Sequence, residues 1–433
     1  MLEYASHLAA RAPRAASVFG SLAYILSGMA DLHEYKEKPG ACAQCGNSPV
    51  NHPMTYAFNL LNVPFNELSY RHSASRILAV FERAARALME TFEAINLRAL
   101  HLLRGVTYGT DISKARTYRS QVIWEEAKRR GIAMEQVYVF GIPTDIYRAH
   151  LRGAWQYFKS IPVPPEVSQA AYLWIDDKFL LKRELTAVGI PVPDSRSVTS
   201  PSDAREALTL IGAPVVVKPR AGSRGRHTTT FVTTVADLDA AFASAQQLCR
   251  HVSVEKCLLG PVCRATVIQG RLAGFFAAYP PLVIGDGVST IGARIAAWNN
   301  TLPDRVQPIT LTPEHHAFMR RRGVDENTVL EKGTTMTLSH RTGRLFGGTT
   351  RELLDTVHPK LRAYVENAAQ ELDVPVVGFD LIIPDPETDP DAQQWGIIEA
   401  NSLPFIDLHY LPLYGAPSNP AAQVWDMWAP DTK

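Results

Sequence analysis

One acidic residue, Asp380, stands inside an otherwise apolar segment that runs from residue 376 to residue 383. The β-branched and aromatic residues around it predict a buried strand, because such runs are typical of strands covered on both faces. A buried carboxylate without a partner is strongly destabilising, so Asp380 requires a cation or strong hydrogen-bond donors. Any fold of this chain must therefore bring such a partner to the middle of this strand.

The strand expected next covers residues 395–398 and runs into Glu399 and Asn401. A hairpin between the two strands would place Glu399 beside Asp380. Glu399 and Asn401 would point the same way, because side chains two apart lie on one face of a strand. Two carboxylates and an amide oxygen are hard ligands that suit Mg²⁺ bound to nucleotide phosphates. The alternative is a satisfied buried hydrogen-bond network.

A second polar site is expected where an apolar strand ends at Lys218. Three valines at 215–217 predict the strand, and Pro219 stops it from pairing further. The loop that follows, residues 220–226, contains three arginines, two glycines and a serine. Such a loop can bring backbone N–H groups and cations to an anion, of which a nucleotide phosphate chain is the obvious one. A basic hairpin without a ligand is the alternative.

The periodicity of the apolar residues predicts an α+β chain in three parts. Residues 1–170 are expected to form a helical and then a small α/β unit, with helices at 84–100 and 121–130, a strand at 137–141 and a stiff linker at 161–165. Residues 171–265 are expected to form a small subdomain, and residues 266–433 a larger one that carries Asp380.

Cys42 and Cys45 form a CxxC knuckle that is flanked by His33 and His52. Two thiolates and two imidazoles could make a tetrahedral zinc site. However, a second CxxC pair is missing and the histidine spacings are unusual for zinc. We therefore expect a loop with incidental thiols rather than structural zinc at Cys42 and Cys45. A redox role is favoured still less, since no helix pattern follows Cys42 closely.

Composition excludes some classes of partner. The 44 basic and 43 acidic residues nearly balance, so neither a nucleic acid nor a membrane surface is expected as a partner. Five cysteines, an odd number in 433 residues, argue for a reducing compartment, which we expect to be the cytoplasm. Residues 15–30 resemble a weak secretory signal, but polar side chains interrupt them, and a buried amphipathic helix is the better interpretation.

Taken together and in this order, the polar motifs resemble those of the ATP-grasp ligases. The motifs are Lys178, Val217-Lys218-Pro219, Val254-Glu255-Lys256, Gly378-Phe379-Asp380 and Glu399-Ala400-Asn401. Within that superfamily the chain is most similar to the ATP-grasp modules of cyanophycin synthetase and of bifunctional glutathione synthetase, over residues 171–402. The resemblance implies an α+β fold in which ATP lies between two antiparallel sheets.

The resemblance also implies roles for individual residues. Lys178 and Lys218 would hold the phosphates under a lid at residues 220–226, to which Ser223 and Gly225 belong. The hinge that pairs with adenine would be Glu255, Lys256, Cys257 and Leu258. The ligands of Mg²⁺ or Mn²⁺ would be Asp380, Glu399 and Asn401. Arg264 would lie near the transferred phosphate. Arg351 and Arg294 are either further carboxylate or phosphate binders or solvated surface arginines.

One position departs from the pattern of the family. Many relatives carry an acidic residue shortly after the hinge, where it holds the ribose hydroxyls, and Val262 stands at that position in this chain. The resemblance therefore leaves the ribose contacts unassigned, while the phosphate and metal residues are unaffected.

The function implied by the resemblance is ATP-dependent ligation of a carboxylate to an amine. Phosphorylation of the carboxylate gives an acyl phosphate, which an amine attacks to give an amide, ADP and phosphate. Amino acids or peptides are the expected substrates, and a homo-oligomer is the expected assembly. A kinase-like phosphotransferase of the same fold and a nucleotide-binding regulatory or scaffold protein are the alternatives.

Overall fold

The computed structural model describes residues 42–45, 50–72, 105–164, 167, 174–222, 225–304 and 306–428. The helices expected at 15–30 and 84–100, together with His33 and Ser223, lie outside these ranges. Among the described helices, none is both long enough and apolar enough to cross a membrane.

The first part of the described chain is a long helix followed by a four-stranded meander that carries a second helix. Its elements are α1 (His52–His72), β1 (Val106–Gly109), α2 (Tyr118–Arg129), β2 (Met134–Val139), β3 (Ile142–Leu151) and β4 (Ala154–Lys159). The expected helix at 121–130 corresponds to α2, and the expected strand at 137–141 overlaps β2.

This meander is antiparallel throughout, with the strands in the order β1-β2-β3-β4. Its two tight turns, Phe140-Gly141 and Arg152-Gly153, have positive φ at both residues. Such turns join antiparallel strands, because their twist matches that of a hairpin. The small α/β unit expected here is therefore corrected to an α+β unit, since hairpins replace the crossovers that an α/β unit needs.

A second four-stranded antiparallel sheet follows, with its strands in the order β5-β8-β6-β7. We call these four strands the small sheet. The elements of this part of the chain are α3 (Lys178–Ala187), β5 (Ser195–Val198), α4 (Pro201–Ile211), β6 (Val215–Pro219), β7 (Thr229–Val232), α5 (Val235–Gln246) and β8 (Val252–Lys256). Val215, Val217 and Val254 pack with residues of α4 and α5 in one core. Because strand side chains alternate, Lys218 and Glu255 face the opposite side.

The largest sheet has five antiparallel strands in the order β13-β10-β9-β14-β15. The remaining elements are β9 (Val262–Ile268), β10 (Arg271–Ala278), β11 (Leu282–Ile284), α6 (Ile291–Asn299), α7 (Pro313–Arg320), β12 (Thr335–Thr337), β13 (Thr350–Glu352), α8 (Pro359–Glu371), β14 (Val376–Ile382), β15 (Gly396–Asn401) and α9 (Pro420–Asp426). Strands β11 and β12 pair separately, and they share a small core with α6 and α7.

The two faces of the large sheet have different coverings. Cys263, Phe379 and Leu381 pack with residues of α3 and α8 in the main core. On the other face, Ile268 and Val376 pack with residues of α2 and α9. By alternation Arg264 and Asp380 lie on this second face.

The link between the two sheets is the segment 257–261, because β8 ends at Lys256 and β9 begins at Val262. All of β9 belongs to the large sheet, so we propose that the boundary between the subdomains lies in this link rather than at residue 265. Gly260 in the link has φ +137°, and a Cβ at this position would lie 2.5 Å from the carbonyl oxygen of Ile383. Only glycine fits without movement, so the end of the link is tied to the end of β14.

Replacing Gly260 by alanine should therefore destabilise the protein by roughly 2 to 4 kcal/mol, from backbone strain plus a steric clash. Gly323→Ala is the matched control, because Gly323 also has positive φ (+72°) but nothing lies within 4 Å of its added Cβ. The control should lose only about 1 kcal/mol. Urea unfolding of both variants measures the difference, and equal losses would contradict the tight approach of Gly260 to Ile383.

Candidate active site

The cationic side of the candidate site is built on the inner face of the small sheet. Lys218 Nζ lies 2.8 Å from Glu255 Oε2, and Lys182 Nζ from helix α3 lies 2.6 Å from Glu255 Oε1. The hydroxyl of Ser253 donates to the same Oε1 at 2.8 Å. One carboxylate therefore holds two ammonium groups in fixed positions and leaves an excess of positive charge.

Burial and charge pairing together set the pKa values of Lys182 and Glu255, whose side chains are each 3% exposed. Burial alone would raise the pKa of Glu255, but the ammonium groups of Lys182 and Lys218 outweigh it and lower the pKa to about 2. Burial lowers the pKa of Lys182 to about 8 despite the neighbouring carboxylate. At neutral pH Glu255 is therefore ionised and Lys182 is mostly protonated.

Lys178 joins the small sheet to the large one. It is the first residue of α3, whose N-cap Asp177 accepts hydrogen bonds from the backbone N–H groups of Phe179 and Leu180. Lys178 Nζ donates to the carbonyl of Gly222 at 2.7 Å and lies 3.4 Å from Glu399 Oε1. A single ammonium group thus contacts both the polar loop and the acidic strand β15.

The acidic side of the site is set by strand register. Asp380 is paired with Arg264 on β9 and with Glu399 on β15, and Gly378 is paired with Asn401. Arg264 donates through Nε and Nη2 to the two oxygens of Asp380, the second bond being 2.8 Å long. The expectation that a hairpin places Glu399 beside Asp380 is confirmed, and the donor that a buried carboxylate requires is Arg264.

These acidic residues fit a divalent cation. Each carboxylate oxygen of Asp380 keeps a second lone pair when it accepts from Arg264, so the pair leaves room for a metal ligand bond. Asn401 Nδ2 is buried and has no hydrogen-bond partner among the described residues, so no hydrogen bond at that atom fixes which way the amide faces. Glu399 contacts Lys178, which leaves its second oxygen available. Two carboxylates and an amide form the hard donor set that Mg²⁺ or Mn²⁺ prefers.

The hinge residues lie where the two sheets meet. The backbone N–H of Lys256 donates to Asp194 and that of Cys257 to Pro214, which fixes the end of β8. The Lys256 side chain points away from the cluster, because its ammonium donates to the carbonyl of Gly212 at 3.1 Å. Any contact of Lys256 with a nucleotide would therefore come from its backbone, as the hinge expectation requires. Cys257 and Leu258 are buried beside it.

The polar loop differs from the expectation in one respect. Arg220 was expected to stand beside an anion, but it is 3% exposed and its guanidinium donates to Asp177 at 3.0 Å and to Glu67 at 2.8 Å. It therefore anchors the base of the loop to α1 and α3. Gly225 lies in a turn with φ +66°.

Two further arginines are not brought to the cluster. Arg351 pairs with Ala277 on β10, and Ala277 pairs with Cys263 on β9. Directly paired side chains lie on the same face of a sheet, so Arg351 lies on the face of Cys263, opposite to that of Arg264. It is 46% exposed and lies 3.4 Å from Glu387. Arg294 is 37% exposed and lies 3.6 Å from Asp286. The expected role of Arg351 as a catalytic residue that binds a carboxylate or phosphate is corrected for this reason, and Arg294 is likewise not retained in the site, so both agree with the surface alternative.

Sequence reasoning missed Lys182. The residue lies four positions after Lys178 on α3, and residues at this spacing share one face of a helix. That spacing was the available signal. The apolar pattern of the same helix obscured it, because a lysine among leucines is ordinarily an exposed side chain.

Comparisons with known proteins agree with this arrangement. No protein-family model matches the chain. Cyanophycin synthetase from Trichormus variabilis is 30% identical over 263 residues, which are 59% of this chain and 29% of that protein. The glutathione biosynthesis bifunctional protein of Mannheimia succiniciproducens is 26% identical over 326 residues, which are 72% of this chain and 42% of that protein.

A crystal structure of a bifunctional glutathione synthetase from Pasteurella multocida matches with a TM-score of 0.51 and 23% identity, over 72% of this chain and 44% of that chain. The resemblance to ATP-grasp ligases is confirmed, and the chain has the α+β ATP-grasp fold. It spans less than half the length of these relatives.

The paired charges predict an unusual pH dependence for Glu255→Gln. Removing a partner from a buried ion pair should cost about 3 to 5 kcal/mol at pH 6. In the folded wild-type protein, Glu255 partly offsets the effect of burial on the pKa of Lys182, which is about 8. Without Glu255 this pKa should fall to a lower value in the folded variant. The unfolded chain then binds more protons than the folded one, and the stability of the variant should rise between pH 6 and pH 8.

Urea unfolding at pH 6 and pH 8 measures this rise. The wild-type protein should show only a small rise, because the folded-state pKa of Lys182 of about 8 keeps this group mostly charged over the interval. Asp239→Asn is the control, because it removes an exposed partner of Arg205 and should give no rise. A variant whose stability does not change between the two pH values would show that Glu255 does not hold Lys182.

Proposed function

We propose that this chain, with its ATP-grasp fold, is an ATP-dependent ligase that joins a carboxylate to an amine, with amino acids or peptides as substrates. One observation carries the proposal. Lys178 on α3 lies 3.4 Å from Glu399 on the large sheet, and this contact supports one shared site for the phosphates and the metal. The named relatives, a cyanophycin synthetase and a glutathione biosynthesis bifunctional protein, support the same class of reaction.

Lys178 and Lys218 are proposed to bind the phosphates of ATP. Both ammonium groups can donate three hydrogen bonds, and each has the contacts described above, so donors remain for phosphate oxygens. Glu255 and Lys182 would hold Lys218 in place, which makes them positioning residues. Of the expected hinge residues, Lys256, Cys257 and Leu258 would present their backbone to adenine. Glu255 is corrected, because it is paired with both neighbouring strands. Val262 leaves the ribose without an acidic partner.

Asp380, Glu399 and Asn401 are proposed to hold Mg²⁺ or Mn²⁺. Such an ion, when bound, neutralises phosphate charge as it develops during transfer. Arg264 would keep the Asp380 carboxylate oriented, because a bidentate arginine fixes both its oxygens. The same guanidinium would lie close to the transferred phosphoryl group.

The proposed reaction has two transfers. An oxygen of the substrate carboxylate attacks the γ-phosphorus, the bond to ADP breaks, and an acyl phosphate forms. The amine then attacks the acyl carbon, loses a proton, and displaces phosphate to leave an amide. The chain supplies orientation and charge rather than a nucleophile of its own, and the loop at 220–226 would exclude water from the acyl phosphate.

The cytoplasm is proposed as the compartment. All five cysteines are free, and three of them, Cys249, Cys257 and Cys263, are buried singly in the fold, as suits a reducing environment. The homo-oligomer expected from the resemblance stays a prediction.

ADP release tests the proposed reaction. With ATP, Mg²⁺ and a pool of amino acids, the protein should release ADP only when both a carboxylate and an amine are present, and mass spectrometry should detect a new amide. A stable phosphorylated product without an amide would indicate a phosphotransferase. Nucleotide binding without any turnover across the pool would indicate a regulatory protein.

Replacing Lys218 by methionine should lower turnover at least about 100-fold, because the variant loses charge stabilisation of the phosphates. Lys360→Met is the matched control, since Lys360 is 51% exposed and pairs with Asp389 on the surface. It should keep wild-type turnover. Circular dichroism of both variants checks the fold, and a folded Lys218→Met enzyme with normal turnover would refute the phosphate role.

A further inference from the structure

Four side chains of the types that bind metals converge next to His227, which directly follows the polar loop. Cys42 and Cys45 come from the CxxC segment, His52 is the first residue of α1, and His227 precedes β7. Their four ligand atoms all lie within 4.8 Å of one another. His227 lies 182 residues after Cys45 in the sequence, so the cluster is created by the fold.

Three of the four sulfur–nitrogen distances are close to those of a tetrahedral site. His227 Nε2 lies 3.5 Å from both sulfur atoms, and His52 Nε2 lies 3.2 Å from Cys45 Sγ. With zinc–sulfur bonds of about 2.3 Å and zinc–nitrogen bonds of about 2.0 Å, a regular tetrahedron places sulfur and nitrogen roughly 3.5 Å apart. These three sulfur–nitrogen distances match a tetrahedral zinc site, and the other ligand atoms lie within 4.8 Å of one another.

The surroundings of His227 favour a metal. Its Nδ1 lies 2.8 Å from the carbonyl oxygen of Ser244, which can only accept a hydrogen bond. The proton is therefore on Nδ1, and the lone pair of Nε2 points toward the two thiols. A histidine ligand held by a carbonyl through its other nitrogen is the usual outer-shell arrangement at protein zinc sites.

We propose that Cys42, Cys45, His52 and His227 bind a structural zinc ion. All four positions of the tetrahedron are filled by protein, which is typical of structural rather than catalytic zinc. Cys45 is 4% exposed and His227 is fully buried, so a substrate would not reach them. The sequence expectation of incidental thiols rested on the missing second CxxC pair and on unusual histidine spacings, and it did not include His227, which is distant in the sequence.

The position of the site gives it a structural role. The backbone N–H of His227 donates to the carbonyl of Gln44, so the CxxC segment and the end of the polar loop are already joined. At the other end of the loop, Asn59 of α1 donates to the carbonyl of Ala221. A zinc ion would fasten α1 to the small sheet and fix the end of the loop near residue 227. An effect on nucleotide binding rests on the proposed function, whereas zinc binding does not.

Metal analysis of the full chain tests the proposal. Protein purified from zinc-replete cells without added metal should contain about one zinc ion per chain, by inductively coupled plasma mass spectrometry. Cys45→Ser and His227→Gln should each weaken zinc binding by at least about 10-fold. Cys249→Ser and His150→Gln replace the same residue types outside the cluster and should retain the zinc.

Cobalt(II) provides a second readout that does not depend on the variants folding. Added to the metal-free wild-type protein, it should give the visible spectrum of a tetrahedral site together with a thiolate charge-transfer band, and zinc should abolish both. Hydrogen exchange should show less protection of residues 52–72 and 225–232 after zinc removal.

Zinc content near zero together with no cobalt–thiolate band would overturn the proposal, as would equal zinc in the cluster variants and the controls. A disulfide between Cys42 and Cys45, seen as only three titratable thiols in the denatured protein, would also overturn it. Ligase activity is measured separately, so a zinc-containing protein without turnover would contradict the proposed function and leave the zinc site standing.

Discussion

The structure depends on how opposite charges are paired where the protein buries them away from water. Glu255 holds Lys182 and Lys218 on the small sheet, and Arg264 holds Asp380 on the large one. Buried charges are tolerated only when they are paired, so the two clusters must form whenever the sheets form. Each cluster keeps hydrogen-bonding capacity beyond its own pair, and a charged ligand can use that capacity without moving the side chains far.

The contact that joins the clusters comes from helix α3. Its first residue, Lys178, contacts Glu399 on the large sheet and the carbonyl of Gly222 in the polar loop. Helix α3 also packs into the main core, so the position of this ammonium group is set by apolar packing as well as by charge. These charged side chains are consequently held in position before any ligand binds, which is the condition for electrostatic preorganisation. The candidate zinc site would extend this organisation to the loop.

Much of the site could be predicted from the sequence, and the failures at Arg351 and His227 share a physical cause, which is dependence on residues distant in the sequence. The apolar run around Asp380 and the i, i+2 spacing of Glu399 and Asn401 are local signals, and the strand pairing agrees with both. Arg351 is different, because its orientation depends on the register of β13 against β10, and a one-residue shift turns a side chain to the other face. His227 carries no local signal at all, since its partners lie far away in the sequence. Lys182 had a local signal, its spacing of four residues from Lys178. A lysine in a helix with an apolar face is ordinarily expected on the exposed side, so that signal was not used.

The central claim is that these separated cations and oxygen ligands bind one metal-bound triphosphate between the two sheets. A crystal structure with Mg²⁺ and a non-hydrolysable ATP analogue tests it most directly. The account predicts phosphate oxygens in contact with Lys178 and Lys218, and the metal ion on Asp380, Glu399 and Asn401. An analogue bound elsewhere, with Glu255 as the sole partner of Lys218 and no metal at Asp380, would contradict the account.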